Sequence, residues 1–219
     1  MSSNRNLILF QESKMRFITK ESDAIVLFTF LLLSFSILLA QEKTEKAEQP
    51  VLVTSCGQSP GPMKFKVFMK RLKFDYDYNL QASAEDLIAK KKKGNPYKSL
   101  IIVTGASLKG MGAAGISIDD ELKRTKGLIA EAKKQGIKII GAHVEGMERR
   151  AQGASPGDNS DELSIDTVCP EAALLIVRKD GDEDGRFTAI SKDKKIPLIL
   201  FEKNMELGDV LKKLFASES

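Results

Sequence analysis

The chain has 219 residues, 42% hydrophobic and 29% charged, with two cysteines, one histidine and no tryptophan. That apolar fraction is too high for a disordered chain, and two cysteines cannot staple a chain of this length into a disulfide scaffold. Basic residues number 34 against 30 acidic ones, a formal charge of +4 that lacks the electrostatic footprint of a nucleic-acid binder.

Ala24–Ala40 (AIVLFTFLLLSFSILLA) carries no charge and follows Arg16 and Lys20. Its length falls between a secretory apolar segment and a minimal spanning helix. Residues 1–40 therefore read as a signal peptide or an uncleaved membrane anchor, starting at Met1 or Met15. Either way the remainder is expected to be exported, periplasmic or extracellular. Residues 41–50 (QEKTEKAEQP) have no large apolar side chain and are expected to form a solvated polar tether.

From residue 51 to 219 short apolar runs alternate with amphipathic stretches, the pattern of βαβ units. Strands are predicted at Val51 to Ser55, Ser99 to Thr104, Ile137 to Ala142, Ala173 to Val177 and Pro197 to Phe201, with a weaker one near Phe74 to Asn79. Helices are predicted near Met63 to Leu72, Ala84 to Lys92, Asp119 to Gln135, Asp161 to Thr167, Arg186 to Lys192 and Glu206 to Phe215. The strands are apolar throughout, as strands covered on both faces must be. The expected fold is one three-layer, doubly wound α/β domain with a parallel sheet of five to six strands, flavodoxin-like or Rossmann-like. Ligands of such folds bind beyond the carboxyl ends of the strands, so the residues following each strand are the candidates.

After the first strand, Ser55, Cys56, Gly57, Gln58 and Ser59 form a loop of small residues able to expose backbone N–H groups to an anion. The loop resembles the flavodoxin phosphate loop, so flavin is one candidate, although few aromatic residues are present to sandwich the ring. Cys56 at a helix start would carry a lowered pKa and is a candidate nucleophile; the phosphatase spacing C-x5-R fails because Pro62 stands where arginine should. Cys169 precedes the fifth strand, on the opposite edge from Cys56, so no bridge between the two is expected.

Gly105 to Gly115 contains Ser107, Lys109 and a formal G-x-G-x-x-G starting at Gly110, but it does not join strand to helix directly and precedes three acids. It reads as a long glycine-rich loop: backbone approaching a ligand, a moving lid, or a flexible surface loop. After the fourth strand come His143, Glu145, Arg149 and Arg150: the histidine is a candidate general base and the arginines are candidate anion clamps. Asp180, Asp182 and Asp184 match the first half of a calcium loop, with Ser191 where a glutamate should stand. The loop from Ala151 to Ser160 lies on the same edge.

Taken together, VLVTSCGQSPG, IIVTGASLKGMGAAGISIDDELKR, IIGAHVEGMERRAQG, LLIVRKDGDEDGRFTAI and IPLILFEK resemble a bacterial family of exported domains of unknown function, domain-of-unknown-function family 6305. The resemblance covers about residues 50–215 and brings no known activity. It implies that Gln58, Ser59, Lys109, Gly110, His143, Arg149 and Asp184 belong to the family pattern. Members usually have asparagine where this chain has Asp182, which makes the calcium-like run incidental.

Three functions compete. A binding module would hold a small anionic molecule between Ser55–Ser59 and Gly105–Gly112, clamped by Lys109, Arg149 and Arg150. A hydrolase or transferase would use His143 as base with Cys56, Ser59 or Ser107 as nucleophile. An envelope interaction protein would have a filled carboxyl edge and no small-molecule site.

Overall fold

The computed structural model describes residues 45–151 and 158–216. The apolar run Ala24–Ala40, both candidate starts, the tether up to residue 44 and residues 152–157 of the Ala151–Ser160 loop lie outside the described residues. The chain divides into two units, Met1–Thr44 and Glu45–Ser219, and everything below concerns the second. Among the described residues no helix is long and apolar enough to cross a membrane.

Six parallel strands form the sheet: β1 (Val51–Cys56), β2 (Tyr76–Tyr78), β3 (Ser99–Thr104), β4 (Lys138–His143), β5 (Leu174–Arg178) and β6 (Leu198–Phe201). Their order is β2-β1-β3-β4-β5-β6, the flavodoxin-like arrangement. The described α-helices are α1 (Pro62–Arg71), α2 (Ala84–Lys92), α3 (Leu108–Ala114), α4 (Ile118–Gln135), α5 (Ser160–Val168), α6 (Arg186–Lys194) and α7 (Glu206–Leu214). The order reverses between β1 and β3, whose register runs from Val51↔Ser99 to Cys56↔Thr104. The crevice beyond their carboxyl ends is where this architecture places ligands.

Side chains alternate between two cores because successive residues of a strand point to opposite faces. Leu52, Leu100, Ile139 and Leu175 join α2, α4, α5 and α6 on one face. Val51, Val53, Ile101, Ile140 and Leu174 join Phe65, Phe68 and Met69 of α1 and Leu207, Leu211 and Leu214 of α7 on the other. Each fully buried Phe or Leu contributes roughly 1.5–3 kcal/mol relative to exposure.

Two expectations need correction. The glycine-rich stretch after β3 is not a flexible loop, because Leu108–Ala114 is a helix capped by the Ser107 hydroxyl, which accepts from Gly110 N. Residues 45–50 are not a free tether: Lys46 and Glu48 are exposed, but Ala47 and Pro50 are buried, and Ala47 N donates to Leu214 O at 2.9 Å. Cys56 and Cys169 are both free and buried, in the same core.

Candidate functional site

Beyond β1 and β3 the two loops that would flank a ligand close on each other. Gln58 and Ala106 form an isolated antiparallel bridge, and Ser107 N donates to Gly57 O at 2.7 Å. Gly57 has φ of +107°, and a Cβ there would stand 2.3 Å from Gly105 O, so only glycine permits this backbone approach.

Three carboxylates occupy the donors expected to cradle an anion. Glu121, fully buried at the start of α4, accepts from Gly57 N and from Gln58 Nε2, both at 2.9 Å. Glu145 Oε2 accepts from Gly61 N at 3.0 Å, where Ser59 Oγ is a second acceptor at 3.3 Å. Asp161 Oδ1 accepts from Ala106 N at 2.5 Å. Three further amides are also used within the protein: Gln58 N bonds Ser55 Oγ, Gly105 N bonds Ser164 Oγ and Gly110 N bonds Ser107 Oγ. Ser55, Gly57, Gln58, Ser59, Gly105, Ser107 and Gly110 thus gather at one place, as expected, but as an internally satisfied network instead of an open cradle.

Arg124 completes that network, and nothing in the loop sequence points to it. Its Nε donates to Glu121 Oε2 at 2.9 Å, one Nη donates to Glu121 Oε1 at 2.8 Å and to Ser55 O at 2.6 Å, and the other donates to Ala82 O. The i,i+3 spacing from Glu121 on α4 was the available signal. Asp161 and Ser164 were hidden differently, since they reach the β3 loop from a helix far along the chain.

His143 is fully buried at the end of β4, packed against the Phe187 ring with centroids 5.0 Å apart. Its Nε2 lies 2.9 Å from Gly146 O and its Nδ1 lies 3.1 Å from Thr104 Oγ1. A carbonyl only accepts, so the Nε2 position carries a proton toward Gly146 O, while the Thr104 hydroxyl, whose single proton also faces Ala142 O at 3.1 Å, sits against Nδ1. Burial pushes the imidazole pKa below its ordinary value. Both nitrogens are spent on the fold, and neither bonds Cys56, Ser59 or Ser107. Burial also pushes the Cys56 thiol up to about 12, the reverse of an activated nucleophile.

The arginines divide the edge between them. Arg149 donates to Ala106 O at 2.9 Å and lies 3.5 Å from Glu145. Arg150, 2% exposed, is a buried hub instead of a ligand clamp: it donates to Glu162 at 2.7 Å, to Gly181 O at 2.6 Å and to both oxygens of Asp184 at 3.0 and 2.7 Å. That guanidinium holds the Asp184 carboxyl below its ordinary range. Asp180 pairs with Arg178 at 2.6 Å, while Asp182 caps α6 by accepting from Phe187 N at 2.6 Å and Thr188 Oγ1 at 2.5 Å. The three aspartates of the calcium-like run thus serve three separate purposes. Lys109 is exposed on α3.

A family model described as "Domain of unknown function (DUF6305)" matches residues 48–215. The chain belongs to this family. No curated protein matches it. Among solved structures, the DUF6305 chain is similar to AlinE4, a SGNH-hydrolase family esterase, at 9% identity and a TM-score of 0.28, covering 71% of this chain and 75% of that one. Similarity to the S13A mutant of that esterase is 11% with a TM-score of 0.27, over 80% of this chain and 85% of that one. At these values no residue role transfers.

Proposed function

We propose that this DUF6305 domain is an exported interaction protein that works through its surface, with no anion captured between the β1 and β3 loops. One observation carries the reading: Gly57 N, Gly61 N and Ala106 N are already held by Glu121, Glu145 and Asp161. An incoming anion would have to displace buried carboxylates and then lie among them, at the cost of like-charge repulsion and of leaving Arg124 without its partner. The engaged nitrogens of His143 count against an acyl- or phosphoryl-transfer role. The apolar run Ala24–Ala40 supports the exported setting.

Amide NMR tests this directly. On titration with inorganic phosphate, acetate and a nucleoside monophosphate at constant ionic strength, the Gly57, Gly61 and Ala106 signals are expected to stay in place. A saturable shift centred on those three amides overturns the reading.

A further inference from the structure

In a parallel α/β sheet every crossover helix runs back against the strands, so helix C-termini collect at the amino edge. Here the last turns of α1, α2, α4, α6 and α7 all carry lysine, while first turns bring acids such as Glu85, Asp119, Asp161 and Glu206 to the other edge. Lysine at a helix C-terminus suits the dipole, and one such lysine has no further meaning. Lys90, Lys133 and Lys194 are paired with Asp77, Glu171 and Asp193, and the further exposed lysines at the five helix ends still make this a cationic end that the small net charge conceals.

That end also holds a concavity of about 250 Å³, lined by Lys46, Ala47, Glu48, Lys98, Gly136 and Lys138. Lys138 is neutralised by Glu45 at 2.7 Å. Lys98 is exposed at the rim, and Lys91 and Lys213, in the last turns of α2 and α7, are exposed as well. The described chain enters at this same edge, at Glu45, and only residues 41–44 separate it in sequence from the apolar run Ala24–Ala40.

We infer that the amino edge is a docking face for an anionic bilayer surface, with the exposed Lys91, Lys98 and Lys213 meeting lipid phosphates. Clustered lysines are drawn to anionic headgroups additively, so lysines spread over several helix ends suit a charged plane better than one small ion. The face lies across the sheet from the β1 and β3 loops, so its role stands whether or not an anion binds those loops.

The test uses the compact unit from Glu45 onward, which contains the whole sheet and both cores and excludes the apolar run. It is floated with phosphatidylcholine vesicles containing phosphatidylglycerol and with phosphatidylcholine alone. Binding is expected only to the former and should weaken with added salt, since exposed charges are screened. The triple variant Lys91→Glu, Lys98→Glu, Lys213→Glu should lose roughly tenfold or more in partitioning. Lys109→Glu, Lys123→Glu, Lys203→Glu makes the same change of net charge away from this edge and should bind nearly as well, with circular dichroism confirming that both fold. No binding to the anionic vesicles overturns the inference, as does equal loss in the two triple variants. Complete displacement by soluble glycerol phosphate at constant ionic strength also overturns it, since that result marks a site for free phosphate.

Discussion

His143 sits where a catalytic residue of this architecture would sit, and its environment assigns it another task. The ring is wedged between Thr104, Gly146 and Phe187, with Glu145, Glu162 and Arg150 as the charged groups whose fields it feels. Above pH 6.5, the ordinary histidine value, the imidazole is neutral in both folded and unfolded chains and adds no slope. Below it the unfolded chain takes up a proton that the folded chain resists, so stability falls with pH until the folded-state pKa is reached. The limit is about 1.4 kcal/mol per pH unit. Asp161, whose pKa burial raises, acts with the opposite sign further down the pH scale. Urea unfolding of the protein and of His143→Gln at pH 7.5, 6.5 and 5.5 separates these contributions. The protein should lose stability more steeply than the variant between the last two values, and parallel curves would refute the assignment. The sequence places His143 just after the fourth strand, where the structure makes it the last residue of β4, but is silent on Gly146 and Phe187, because a ring's partners depend on which distant segments converge on it.

Among the elements, the strands and most helices were legible because burial imposes a period, and the period survives in the sequence. β3 and α2 match their expected limits, and the remaining expected elements shift by only a few residues. The helix α3 was not legible, since Gly110, Gly112 and Gly115 mimic a flexible loop. Two of those glycines have a structural reason. Gly115 closes the helix with φ of +67°, and a Cβ on Gly110 would stand 2.2 Å from Gln58 O. Gly112 has nothing within 4 Å of where its Cβ would be, and the same holds for Gly127 inside α4. Glycine at such interior positions loses roughly 0.5–1 kcal/mol relative to alanine through backbone entropy. Gly112→Ala and Gly127→Ala should therefore each raise stability by about that amount in chemical denaturation. Gly110→Ala should lower it by about 1–3 kcal/mol, because backbone, not a flexible side chain, stands in the way. Equal effects at Gly110 and Gly112 would show that the close packing of α3 on the β1 loop contributes nothing.

At the scale of the molecule, the part read least well is the seam where the chain enters the domain. Residues 45–50 offer only Ala47 and Pro50 as apolar side chains, so no hydrophobic pattern announces that they pack. Backbone and polar groups hold them instead. Ala47 N donates to Leu214 O at 2.9 Å, the Ser99 hydroxyl donates to Glu48 O at 2.7 Å, Lys138 Nζ donates to Lys46 O at 2.6 Å and Gln49 Oε1 accepts from Asp75 N at 2.6 Å. These bonds join the end of α7, the starts of β3 and β4 and the approach to β2, elements from both layers and both halves of the sheet. A typical net hydrogen bond is worth about 0.5–1.5 kcal/mol, and some of these lie in water. A chain beginning at Pro50 should therefore be less stable than one beginning at Gln41 by on the order of 2 kcal/mol, after allowing for fraying at a terminus. For a unit of this size that corresponds to a fall in Tm of roughly 4–8 °C. Amide exchange should locate the loss: protection should drop first at the end of α7 and at the start of β3, while the carboxyl-edge amides of Gly57 and Ala106 keep theirs. Equal melting of the two chains would mean that these residues are a tether after all and that the folded unit begins at β1.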